Sequence, residues 1–206
     1  MRGRSAVVAV LAEGAERLVS QVEEADMIEL RLDLLSTSHP LDTLKALRQA
    51  TAKPIIATAR HKSEGGLFQE SEAERRDLLI KAADYADYVD VELLAEIRDE
   101  VISGIGKPAI VSYHDFEAMP DDRRLAGIFS RMKQAGAAIA KIAVTPREKK
   151  DNLRILQFLL DADLPLCMIA MGDLGRHCLL YTSDAADDLL CVHLGGRRII
   201  KKKNKK

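Results

Sequence analysis

Seven short apolar runs punctuate the chain: SAVVAVLA (5–12), DMIELRL (26–32), KPIIATA (53–59), DYVDVEL (87–93), PAIVSYH (108–114), AAIAKIAV (137–144) and LPLCMIA (164–170). Each is rich in β-branched residues or bounded by Pro or Asp, the signature of a buried strand. Charged, helix-periodic stretches lie between them. In SEAERRDLLIKAAD (71–84), Ser71 and Glu74 have capping-box spacing. In DDRRLAGIFSRMKQA (121–135), Leu125, Ile128, Phe129 and Met132 share one face, and Gly136 is placed to end the helix. The stretch 148–160 predicts a similar face from Leu153, Leu156 and Leu160.

Runs of strand character recur once per βα unit, with no break in composition that would mark a linker. A parallel α/β fold follows. An open doubly wound sheet would commonly carry a Gly-rich phosphate fingerprint, and neither G-x-G-x-x-G after the first strand nor G-x-x-x-x-G-K-[ST] occurs. A (β/α)8 TIM barrel ordinarily takes about 250 residues. The pattern therefore predicts an incomplete (β/α)8 barrel with about seven of its strands.

Composition narrows the function class. The 206 residues are 47% hydrophobic, 31% charged and 4% aromatic, an ordinary globular balance for one domain. A net charge of −1 gives no general attraction to nucleic acid or an anionic membrane. No apolar run approaches a membrane span, and no secretory pattern opens the chain. Three widely spaced cysteines (Cys167, Cys178, Cys191) make neither a disulfide framework nor a zinc site. The expectation is a soluble protein of a reducing, cytoplasmic compartment, with no nucleic-acid or membrane partner and no metal.

The last segment departs from this pattern. Residues 178–206 (CLLYTSDAADDLLCVHLGGRRIIKKKNKK) hold seven basic and three acidic groups, net +4, whereas residues 1–177 are net −5. A basic nucleic-acid or membrane arm is one reading. The segment instead resembles a translated sequencing-library adapter followed by an A-rich read end. Two segments are expected: a barrel at 1–177 and a non-native tail at 178–206. A tail of this kind would supply no eighth strand.

Candidate chemistry gathers at the C-terminal ends of the runs: Glu29 and Arg31, Arg60 and Glu64, Glu92, His114 and Lys141. A barrel brings those ends to one face, where its active sites lie. Lys141 sits within AAIAKIAV, where desolvation would lower its pKa and free a nucleophilic amine; snorkelling or pairing with a carboxylate is the structural alternative. His114 ends the preceding strand and can move a proton near neutral pH, though a capping or core role suits it too. Gly65 and Gly66 would let the RHKSEGG loop approach a ligand. Arg60 in that loop can bind oxygens, and Glu64 could orient His114; a solvated turn is the alternative. Glu29 and Arg31, two apart, share a strand face and could equally form a structural pair. His39 and His61 read as exposed loop residues.

Taken in order, IELRLDLL, TARHKSEGG, YVDVEL, SYHDFEAMP, KIAVTP and MGDLGR resemble the type I 3-dehydroquinate dehydratases over about residues 5–177. The resemblance implies a lyase of the shikimate pathway, serving aromatic amino acid biosynthesis, that converts 3-dehydroquinate to 3-dehydroshikimate through a lysine Schiff base. It implies that Lys141 forms the imine, His114 is the general acid/base and Glu64 assists it. It also implies that Glu29, Arg31 and Arg60 line the substrate pocket, that no cofactor is needed, and that the intact parent is a homodimer. In the family, MGxxG leads to a Ser-Arg pair whose arginine grips the substrate carboxylate; Cys178 and Leu179 stand there instead. A Schiff-base aldolase acting on a sugar phosphate and a non-catalytic degenerate barrel remain as alternatives.

Overall fold

The computed structural model describes residues 6–175. It contains seven parallel strands, β1 (Val8–Leu11), β2 (Met27–Arg31), β3 (Ile55–Thr58), β4 (Tyr88–Glu92), β5 (Ala109–Asp115), β6 (Ile139–Val144) and β7 (Leu166–Ala170). They are hydrogen-bonded in the order β1-β2-β3-β4-β5-β6-β7. Between them lie α1 (Ala15–Leu18), α2 (Pro40–Ala50), α3 (Glu72–Ala82), α4 (Arg98–Gly104), α5 (Asp122–Gln134) and α6 (Lys149–Asp161). All seven predicted runs are strands. Sequential order excludes the doubly wound sheet, whose strand order reverses at a switch point.

The sheet is curled. In a flat sheet β2 and β6, four strands apart, would be about 19 Å from each other. Yet Lys141 Nζ on β6 is 3.1 Å from both carboxylate oxygens of Glu29 on β2. Only a barrel wall closing toward itself allows that contact.

Strand alternation sorts the side chains between wall and interior. Outward residues such as Ile28, Leu30, Val89, Val91, Ala140 and Ile142 are fully buried under the helices. Inside, Val8, Ile56 and Ile110 pack with Met27, Tyr88 and Ile139 into an apolar plug at the N-terminal end of the strands. Polar side chains occupy the levels above it.

The local signals for α3 and α5 act as predicted. Ser71 and Glu74 form a reciprocal capping box at the start of α3. Asp121 caps α5, whose Leu125, Ile128, Phe129 and Met132 are buried, and Gly136 follows it with φ +85°.

The expected face of α6 is corrected. Leu153 and Leu160 are 68% and 58% exposed, whereas Ile155 is buried and Phe158, Leu159 and Ala162 pack beside it. The helix carries two apolar stripes, and the one at 155, 158, 159 and 162 meets the wall. Periodicity defines a stripe but does not say which of two faces the sheet. Ile155→Ala should therefore cost about 2–5 kcal/mol and Leu153→Ala less than about 0.5 kcal/mol in denaturant unfolding. Equal effects would contradict this packing.

The boundary at residue 177, the Cys178–Leu179 replacement and the tail itself lie outside the described residues. Among the described residues, no helix is long and apolar enough to cross a membrane.

Candidate active site

Above the apolar plug the inward positions become polar. Glu29 (β2), Thr58 (β3), Asp90 (β4), Ser112 (β5) and Lys141 (β6) form a linked set. Lys141 Nζ donates to Glu29 and, at 3.2 Å, to Asp90 Oδ2. Thr58 Oγ1 donates to Glu29 at 2.9 Å, and Ser112 Oγ donates to Asp90 Oδ1 at 2.6 Å. Arg60, one residue pair beyond Thr58, donates to Asp90 at 2.9 Å and Ser112 at 2.6 Å, and pairs with Glu92 at 3.2 Å.

This geometry corrects the expected state of Lys141. Burial alone would lower its pKa, but the Glu29 and Asp90 carboxylates outweigh that effect and raise it above the ordinary lysine value. Without substrate the amine is held as ammonium. Glu29 is correspondingly lowered: burial opposes ionisation, and Lys141 overcomes it. Asp90 is lowered as well, with Arg60 the leading cause against burial.

His114 lies beside this set. Ser112 is paired in register with Lys141, and His114 with Ala143, so the imidazole sits one inward position beyond the lysine on the neighbouring strand. Its Nδ1 is 2.8 Å from Glu64 Oε2, which also accepts the His114 backbone N–H at 3.0 Å. Burial, then the positive charges of Arg60 and Lys141, push the ring well below its usual pKa, so it stays neutral. Nδ1–H is then the donor, leaving the Nε2 lone pair available as a base. Burial and the neighbouring Glu92 carboxylate raise Glu64 to about 7.

Glu64 reaches His114 because its loop folds tightly. A 3-10 turn spans Lys62–Glu64, and Gly65 follows with φ +77°. A Cβ on Gly66 would lie 1.9 Å from the Arg60 carbonyl oxygen, and one on Gly65 would lie 2.4 Å from the Phe116 ring. The close approach these glycines permit in the structure is between the loop and the rest of the protein.

Two further expectations change. Glu29 and Arg31 do not pair; Arg31 makes a bidentate contact with Asp33 at 2.8 and 2.7 Å. Asp33 also accepts the backbone N–H groups of Arg60 and Leu67, so it fastens the Glu64 loop to β2. His61 is half-buried rather than exposed: its ring caps the 3-10 turn and its backbone N–H donates to Glu92 at 2.9 Å. The structure thus brings Glu29, Arg60, Glu64, His114 and Lys141 together, with Arg31 at the edge. Sequence reasoning missed Asp90, Ser112 and Thr58. For Asp90 a signal existed: it shares a strand face with Glu92 inside an apolar run, as Glu29 does with Arg31.

The sequence profile of type I 3-dehydroquinase matches residues 6–181. This chain belongs to the type I 3-dehydroquinase family. The 3-dehydroquinate dehydratase of Methanothrix thermoacetophila is 45% identical over 174 residues, covering 84% of this chain and 75% of that protein. The Methanocella arvoryzae protein of the same name is 40% identical over 159 residues, covering 76% and 72%. A crystal structure of type I 3-dehydroquinate dehydratase from Clostridium difficile, with covalent modified comenic acid, matches with a TM-score of 0.80 at 26% identity. That match covers 94% of this chain and 85% of the other. Membership of the type I 3-dehydroquinase family makes this an enzyme and argues against a sugar-phosphate aldolase or a degenerate barrel.

Glu64 gives a stability test for this family member. A carboxyl raised from 4.5 to about 7 contributes stability as the neutral acid below pH 4.5 and loses it as pH rises through 7. At about 1.4 kcal/mol per pH unit the loss approaches about 3 kcal/mol. Wild type should therefore lose stability relative to Glu64→Gln between pH 4.5 and 7.5 in denaturant titrations. A difference independent of pH would show that Glu64 ionises normally.

Proposed function

We propose that this protein dehydrates 3-dehydroquinate to 3-dehydroshikimate through an imine on Lys141. The observation that carries the reading is a lysine inside the barrel, between Glu29 and Asp90, beside a neutral histidine hydrogen-bonded to Glu64. Lys141 must first lose a proton, because the carboxylates favour the ammonium. The amine then adds to the substrate ketone and water is expelled. The resulting iminium is again a cation where the ammonium stood, so Glu29 and Asp90 stabilise it with little reorganisation. As an electron sink it acidifies the adjacent C–H bond.

His114 Nε2 takes that proton, and Glu64 accepts Nδ1–H and stabilises the imidazolium. The imidazolium then protonates the departing hydroxyl, which leaves as water, and hydrolysis of the product imine returns the free lysine. Arg60 keeps Asp90 ionised; with Glu29 and Arg31 it forms the positive and negative lining against which the polyol substrate is oriented. No step calls for a metal or an organic cofactor. We also propose that the family barrel occupies residues 1–177 with 178–206 a non-native tail, and that the enzyme acts in the cytoplasm with a homodimeric parent.

Borohydride reduction with 3-dehydroquinate, read by intact mass and peptide mapping, tests the imine. An adduct on Lys141 is expected, absent in Lys141→Ala. His114→Ala should still form it but lose about 10²–10⁴-fold in kcat. The same assay on a chain whose residues after 177 are replaced by the corresponding Methanothrix segment tests the boundary: higher activity is expected. An adduct that survives Lys141→Ala would overturn the mechanism.

A further inference from the structure

The reaction accounts for the inner charges but not for Arg75, which stands on α3, outside the barrel wall. Its side chain is 1% exposed. It donates from Nη1 to Glu92 Oε2 and, at 3.1 Å, to the Ala59 carbonyl, and it clasps Glu72 through Nε and Nη2 at 2.8 Å each. Arginine is rare at such burial unless every donor is engaged and its charge is matched.

Glu92 divides its two oxygens. Oε2 takes Arg75; Oε1 takes Arg60 at 3.2 Å and the His61 N–H at 2.9 Å. Arg60 continues to Asp90, and Asp90 to Lys141. The charges alternate without a break: Arg75, Glu92, Arg60, Asp90, Lys141, Glu29. Three cations meet three buried carboxylates. Remove Arg75 and buried Glu92 loses the cation on its outer oxygen, whereas Glu72, the other carboxylate Arg75 holds, is about one-third exposed and can turn to water.

We propose that Arg75 is a positioning residue for the reaction, neutralising Glu92 from behind so that Arg60 stays on Asp90 and Glu64 can ionise against His114. The consequence follows from what faces Glu64. Asp90 and Glu92 on β4, Arg60 on β3 and His114 on β5 act on it, with Lys141 and Arg31 acting on the imidazole from β6 and β2. Glu92 already opposes ionisation of Glu64. Unscreened by Arg75, it opposes it more, and Arg60 is drawn toward Glu92 and away from Asp90. The inference rests on the Lys141–His114 reading of the site.

The test is a cycle of Arg75→Met, Glu92→Gln and the double variant, read by the pH dependence of kcat and by borohydride trapping. Wild type should lose kcat as pH falls below about 7, as Glu64 takes up a proton. In Arg75→Met this acid limb should move up by about one pH unit, with kcat at pH 7 down about fivefold and KM within about twofold. Glu92→Gln should move the limb down, and adding Arg75→Met to it should shift the limb little further, because Arg75 acts through the Glu92 charge. Arg75→Lys, which keeps the cation, should restore the wild-type limb. Arg76→Ala, on the exposed side of α3, should change nothing.

If Arg75→Met does not fold, Arg75→Gln, which keeps amide donors but not the cation, gives the same comparison with wild type. Limbs that coincide across the cycle, or loss of kcat with an unmoved limb, would overturn the proposal. Failure of wild type to trap substrate on Lys141 would instead sink the underlying reaction.

Discussion

One ammonium surrounded by two carboxylates at the centre of the barrel governs the rest of the site. Lys141 can be buried only because Glu29 and Asp90 meet it. Each of those carboxylates must in turn be satisfied: Glu29 by Thr58, Asp90 by Ser112 and Arg60. Arg60 then requires Glu92, and Glu92 requires Arg75. Removing one member leaves a buried neighbour uncompensated, a loss of about 3–5 kcal/mol for such pairs. Most of the interior above the apolar plug is thereby tied to a single charge.

The same arrangement serves the chemistry. Positive charge is present at the lysine nitrogen in both the resting ammonium and the iminium, so groups that stabilise one are already oriented for the other. The penalty is that the nucleophile must be deprotonated against their pull. Burial, together with the cationic Arg60 and Lys141, then keeps His114 neutral, with a ring nitrogen lone pair free to take a proton. Acid and base roles are separated by surroundings, not by residue type: a lysine held charged, a histidine held neutral and a glutamate raised to about 7 lie on two neighbouring strands and one loop.

The loop between β3 and α3 is the other point of dependence. Asp33 secures both its ends through the N–H groups of Arg60 and Leu67, while Gly65 and Gly66 allow a turn no larger residue would fit. Glu64 is thus delivered to His114 by backbone geometry. A more mobile loop would leave the imidazole without its orienting partner.

Much of this was written in the chain itself. Seven β-branched runs, the Ser71–Glu74 cap and the Leu125–Met132 stripe fix element type, because strand alternation, capping and helical periodicity act within a few residues. The order of Glu29, Arg60, Glu64, His114 and Lys141 along strand ends likewise names the face that carries chemistry. Tertiary structure decided the rest. Whether Lys141 is neutral or charged depends on Glu29, 112 residues away in sequence. Whether Glu29 pairs with Arg31 or Lys141 depends on the sheet curling. Which stripe of α6 is buried depends on the orientation of its strand, and Arg75 reads locally as one charge among many on a helix. Electrostatic state and partner choice are set by distances of a few ångströms between residues far apart in the chain, and only the curled wall of the barrel sets those distances.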